Sequence, residues 1–202
     1  METCCCRLGR ELLDRHNILY ESENFFIVPA LGQLGIEGYL LLCSKKHYIG
    51  LGDIPETYYP ELENFLDKTT NVVSSVYGPD ILVFEHGPKL SCHKGGGCLD
   101  HAHLHLVPTS VDVMDFLNKI FKPKKINSLD KLKKIFKKQK SSYLFLIDQS
   151  KKRYVIEPTI PIPSQYIRQI IASKMGVKNW DWRINPDRKT FIKTIKRLKN
   201  KF

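Results

Sequence analysis

His101, His103 and His105 fall within five residues and alternate with Ala102, Leu104 and Leu106. On an extended strand, side chains alternate faces. The three imidazoles therefore line one face, and the three apolar residues line the other, where a core can take them. Same-face neighbours stand roughly 7 Å apart along a strand. Two adjacent imidazoles can then share a metal ion or a hydrogen-bond path, but all three meet at one atom only if the strand curves. Three readings compete: zinc ligation by a His-x-His pair, nucleophilic catalysis by one imidazole with the others positioning it and moving protons, and purely structural histidines. Gly95, Gly96 and Gly97 lie just upstream. Such a loop lets the backbone approach a ligand closely and gather N–H groups into an anion nest, which beside imidazoles suits a phosphoryl group. A neutral imidazole nitrogen attacks phosphorus when its other N–H is held by an acceptor, and the phosphoramidate formed divides the transfer into two steps. His103, in the middle, has a partner on either side.

The elements that would hold this stretch can be read around it. Ile18–Glu21 and Phe25–Val28 read as two short strands about a polar turn, and Gly38–Cys43 as a strand of buried type. Apolar residues spaced three and four apart from Tyr58 to Val76 predict an amphipathic helix over 56–77, with Pro60 in its first turn and Gly78-Pro79 as its stop. Ile81–Glu85 reads as the next buried strand, and 86–97 as a long polar loop whose His86 and His93 are read as solvent-exposed, with contact to substrate as the alternative. After Pro108, two short helical patterns (112–121 and 128–138) flank Lys122–Lys125, read as a linker. Tyr143–Ile147 and Arg153–Ile156 form a hairpin, Ser164 caps a helix running to Met175, and a basic amphipathic helix with Phe191, Ile195 and Leu198 ends the chain. The expected organisation is a lead-in (1–17), a core domain (18–110) and a basic extension packed on it (111–202).

The 202 residues suffice for one full core with an extension. No apolar run reaches the roughly 20 residues that span a bilayer, and the N-terminus lacks the basic-then-apolar pattern of a secretion signal. A soluble, cytoplasmic protein with reduced cysteines is expected, and no membrane partner. The charge is lopsided. Residues 1–110 hold 8 Lys/Arg against 14 Asp/Glu, while residues 111–202 hold 24 against 7, so a net of −6 precedes a net of +17. A solvated lysine-rich surface is the plainer reading of the second half, and binding of nucleic acid or another anion is the sharper one.

Phe84-Glu85-His86-Gly87-Pro88, followed by Gly96-Gly97-Cys98 and Leu99 to Pro108 around the three histidines, resembles the histidine-triad (HIT) family of nucleotide hydrolases and transferases. The pattern from Ile18 to His47 fits as well, so the resemblance covers about residues 18–108. Pro163–Arg168 and Trp180-Asp181-Trp182-Arg183 are similar, less specifically, to C-terminal extensions of some HIT-like proteins. The resemblance implies an α+β fold, an antiparallel sheet with packed helices that is often paired as a homodimer; here a C-terminal hairpin and helices would be added. It implies a nucleotide substrate attacked at its α-phosphate, a nucleotidyl-histidine intermediate on His103, phosphate contact from His105, and an orienting or metal-binding His101. It implies phosphate binding by Gly96, Gly97 and the backbone of Cys98, and places Glu85 in the substrate pocket. The chain departs from the family pattern at Glu85, where Asn or Gln commonly serves the substrate, at Pro29-Ala30, where a polar residue often holds the ribose, and in the length of the 86–97 loop.

No cofactor is required by this chemistry. A structural zinc held by Cys4, Cys6, His47 and His101 is a further expectation, although the cysteine spacing differs from the Cys-x-x-Cys of zinc-bearing members. The functional expectation is a nucleotidyl hydrolase or transferase acting on a dinucleoside polyphosphate, nucleotide sugar or nucleoside phosphoramidate. The alternatives are a deadenylating enzyme on nucleic-acid ends and a low-turnover nucleotide-binding module. Trp180 and Trp182 are expected as packing anchors.

Overall fold

A computed structural model of the chain describes residues 14–88, 101–138 and 142–202. Its centre is one eight-stranded sheet in which every pairing is antiparallel. The strands are β1 (Tyr20–Glu21), β2 (Phe25–Pro29), β3 (Leu40–Ser44), β4 (Ile81–Gly87), β5 (His103–Pro108), β6 (Lys124–Ile126), β7 (Tyr143–Ile147) and β8 (Arg153–Ile156), in the spatial order β1-β2-β3-β5-β4-β7-β8-β6. The histidine strand β5 thus lies inside the sheet, between β3 and β4. The hairpin β7–β8 continues the same sheet from β4, as the Val83↔Ile147 to Gly87↔Tyr143 register shows.

Strand alternation sorts the core into two layers. Phe25, Ile27, Leu40, Leu42, Val83, Leu104 and Leu106 face α1 (Tyr59–Tyr77) and α3 (Leu129–Lys138). Phe26, Val28, Leu41, Cys43, Leu82, Phe84 and Leu146 face α2 (Val113–Ile120) and α4 (Tyr166–Lys174). The last helix, α5 (Arg188–Leu198), stands beside β2 and gives Phe191 to one layer and Leu198 to the other. Burying one leucine of α1, such as Leu62, contributes about 1.5–3 kcal/mol. A paired Arg153–Glu63 contact, with both guanidinium nitrogens on the carboxylate, ties β8 to α1 across the layer.

The 56–77 helix forms as read. Glu56–Tyr58 makes a 3-10 turn that leads into α1, Pro60 sits in its first turn, and Gly78 ends it at φ 99°, a conformation that suits glycine. Three local expectations are corrected. Lys122–Lys125 is not a linker: Lys124–Ile126 pairs with β8 as the outermost strand, where exposed lysines are tolerated because one edge faces solvent. Ser164 does not cap α4. Gln165 occupies that place in the left-handed region at φ 61°, and its side chain serves Arg168 and Asp181 instead. β4 runs on to Gly87, so His86 belongs to a strand rather than to the following loop.

Candidate functional site

The register fixes which side chains meet. Leu41 and Phe84 flank His105 on the neighbouring strands, and Cys43 flanks His103, all on the face toward α4. His103 and His105 are 2% and 3% exposed, and their rings stand edge to face at 4.7 Å. His103 donates Nδ1–H to the carbonyl of His101 at 2.6 Å, and its Nε2 lies 3.1 Å from His105 Nε2. Tyr39, the residue before β3, brings its hydroxyl to 2.8 Å from His105 Nδ1. With His103 neutral, its Nε2 carries the lone pair. His105 then donates Nε2–H to it and accepts from the Tyr39 O–H at Nδ1. His105 also stacks on Phe84 at 4.4 Å and 10°. Its own protonation is held far below the usual histidine range by burial first, then by the charges of His103, His86 and Arg168.

His101 contributes to this arrangement through its backbone. Its imidazole lies with another group, donating Nε2–H to the Ser44 carbonyl at 2.7 Å, and burial pushes it down to about 4. The exposed His47 stands edge to face with it at 5.5 Å. The two histidines of the zinc set therefore do come together, while Cys4 and Cys6 lie outside the described residues, as do Gly96, Gly97, Cys98 and His93. A metal at His101 would have to use Nδ1, because Nε2 is committed to the Ser44 carbonyl.

Glu85 is not in the site. Phe84 shares the face of His105, so the next residue along β4 points to the opposite layer. There the carboxylate accepts from the Leu51 N–H at 2.7 Å and from the Tyr143 O–H at 2.6 Å, and burial raises it to about 7. The period of two that takes Glu85 away brings His86 to the triad face. His86 is 2% exposed and stands edge-on to both Phe84 and His105, at 5.5 and 6.1 Å, which corrects its reading as a solvent histidine. The signal was present in the sequence: a strand extended by two residues from Phe84 places His86 beside the triad.

Among solved structures, the chain is similar to a Hit-like protein involved in cell-cycle regulation from Bartonella henselae (15% identity, 59% of this chain and 81% of that one, TM-score 0.39). It is also similar to a hypothetical histidine triad nucleotide-binding protein from Sulfolobus tokodaii (23% identity, 59% and 80%, TM-score 0.39). No family model and no curated protein matches the chain.

Two further residues of the neighbourhood escaped the sequence reading. Tyr39 lies in the stretch read as a buried strand, and Arg168 in both the helix running to Met175 and the Pro163–Arg168 resemblance, and neither reading gives it a place in the site. Arg168 is 2% exposed; it donates to Gln165 Oε1, the Gly32 carbonyl and the Trp180 carbonyl, and its guanidinium lies 5.4 Å from the Tyr39 ring. None of these partners is a carboxylate, so a full positive charge stays next to the histidine layer. Trp180 and Trp182 are half-buried against the same core, in keeping with packing anchors.

Proposed function

We propose that the chain is a nucleotidyl hydrolase or transferase in which His103 Nε2 attacks the α-phosphate of a nucleotide conjugate. The observation that carries this is the fixed tautomer of His103: a 2.6 Å bond from Nδ1–H to the His101 carbonyl leaves Nε2 as the nucleophilic nitrogen, with His105 against it. As the Nε2–P bond forms, the bond from phosphorus to the leaving group breaks and the leaving group departs with the electron pair. His105 Nε2–H is placed to bond a phosphoryl oxygen and to stabilise the charge that develops there. Water or an acceptor hydroxyl then attacks the phosphoramidate and returns His103 to its free state. The buried charge of Arg168 favours an anion in this layer.

Incubation with a panel of nucleotide conjugates, followed by mass mapping, tests the reading. A nucleotidyl adduct on His103 is expected, together with loss of turnover in His103→Asn. Turnover by that variant at the wild-type rate, or an adduct on another residue of the active protein, refutes it. Action on nucleic-acid ends is a second reading, supported by the net of +17 over residues 111–202 and by exposed Lys189, Lys193 and Lys196 along α5. It expects affinity for oligonucleotides that falls steeply with salt, and absence of binding at low salt removes it. The zinc reading at His47 and His101 expects about one equivalent of zinc in purified protein; metal-free folded protein sinks it.

A further inference from the structure

His86 holds the one buried side-chain nitrogen or oxygen among the described residues that has no hydrogen-bond partner, its Nδ1. The other ring nitrogen is engaged: Nε2 accepts the backbone N–H of Ile167, in the first turn of α4, at 3.2 Å. An imidazole whose Nε2 accepts and which is neutral carries its proton on Nδ1. Burial and the nearby charges of His103 and Arg168 keep it neutral by pushing its protonation down to about 3. The ring is therefore a fixed Nδ1–H donor, set on the same face as His103 and His105 and within electrostatic reach of the Arg168 guanidinium.

A packing role does not call for this residue. Phe84, two positions earlier on the same face, already stacks on His105, and the bond from Ile167 needs only the acceptor at Nε2, so neither calls for a buried donor at Nδ1. Buried donors that lack partners are rare, and each calls for an explanation such as a catalytic role or a bound ion.

We propose that His86 is a fourth histidine of the site, whose Nδ1–H donates to a phosphoryl oxygen of the bound substrate, with α4 setting its tautomer through Ile167. The proposal rests on the reading of the site as one for phosphoryl chemistry, and it gives the C-terminal half of the chain a direct part in that site. His86 would hold the phosphoryl group while His103 attacks it, leaving His105 to meet the charge formed in the transition state.

The test is nuclear magnetic resonance of the full chain with 15N-labelled histidine, titrated first with inorganic phosphate and then with AMP. The free protein is expected to show His86 with its proton on Nδ1, and that resonance is expected to move as either anion binds. His86→Gln keeps an acceptor for Ile167 and carries its amide N–H groups away from the position of Nδ1; it is expected to bind AMP about tenfold more weakly, the loss of one hydrogen bond to a charged group. His86→Asn, which places an amide N–H near the position of Nδ1, is expected to recover most of the affinity. A proton found on Nε2, a His86 resonance that stays still in the presence of both anions, or wild-type affinity in His86→Gln overturns the proposal. If His86→Gln fails to fold, the wild-type titration decides by itself. Response of His86 to phosphate without any adduct on His103 upholds the donor and removes the covalent chemistry. An adduct on His103 with a silent His86 does the reverse.

Discussion

At the scale of single residues, the site depends on which nitrogen holds each proton. Tyr39 sets that choice for His105, because its hydroxyl caps Nδ1 and leaves Nε2–H to face His103. Tyr39→Phe keeps the buried ring and removes the cap. Turnover is expected to fall about tenfold with little change in KM, on the scale of one lost hydrogen bond, and steady-state kinetics on the substrate that forms the adduct reads the split. The buried titratable groups also predict how stability depends on pH. Glu85 is raised from 4.5 to about 7, so the folded chain holds a proton that the unfolded chain has released; its contribution is complete below about pH 4.5 and is lost as pH rises to 7. His86, His101 and His105 are lowered from 6.5, so the unfolded chain binds protons that the folded one refuses, and stability falls as pH drops below 6.5. Three histidines outweigh one carboxylate, and urea midpoints are expected to rise from pH 4.5 to pH 6.5. In Glu85→Gln the rise should be steeper, because the opposing slope of roughly 3 kcal/mol at most is gone. An unchanged profile in that variant would contradict the assigned burial.

At the scale of elements, Arg168 joins three pieces that do not adjoin in sequence: α4, the loop around Gly32 and the segment at Trp180. Its planar fork meets acceptors in fixed directions. Arg168→Lys is therefore expected to lose about as much stability as Arg168→Ala, on the order of 2–4 kcal/mol by chemical denaturation, since an ammonium on a flexible stem cannot span both carbonyls. Recovery of wild-type stability by lysine would show that charge, not geometry, holds the loop. Legibility from sequence follows the same division. The alternation of His103 and His105 with Leu104 and Leu106 was readable because a period of two depends on the chain alone, and so were α1, with its three-and-four spacing and its Gly78 stop, and the β7–β8 hairpin; His101 stands before β5 and turns its ring to the Ser44 carbonyl. The place of Glu85 depended on a register partner, Phe84 opposite His105, that no local pattern names. The β6 strand was hidden because Lys124 and Lys125 mimic a linker, and only pairing with β8 makes them a strand. Arg168 was hidden because its acceptors are backbone carbonyls, which every residue has.

At the scale of the whole molecule, one sheet unites an acidic first half and a basic second half. The sheet ends in β1, of two residues, and β6, of three. Such short edges offer little template for another strand, so a homodimer would need a contact outside the sheet edges, and light scattering separates it from a monomer of 23.4 kDa. No helix among the described residues is long and apolar enough to cross a membrane.

The order in which the strands sit has a consequence for synthesis. β4 pairs on one side with β5 and on the other with β7, and β7 ends about 60 residues after β4. At ribosomal speeds that interval lasts roughly 3–12 s. Once β5 is made, about 40 residues before β7 is complete, the nascent chain can close β1 to β5 while the seven-residue β4 keeps one flank bare. A chain cut before Tyr143 leaves that flank of β4 without its partner, and such a truncation is expected to aggregate where the full chain stays in solution.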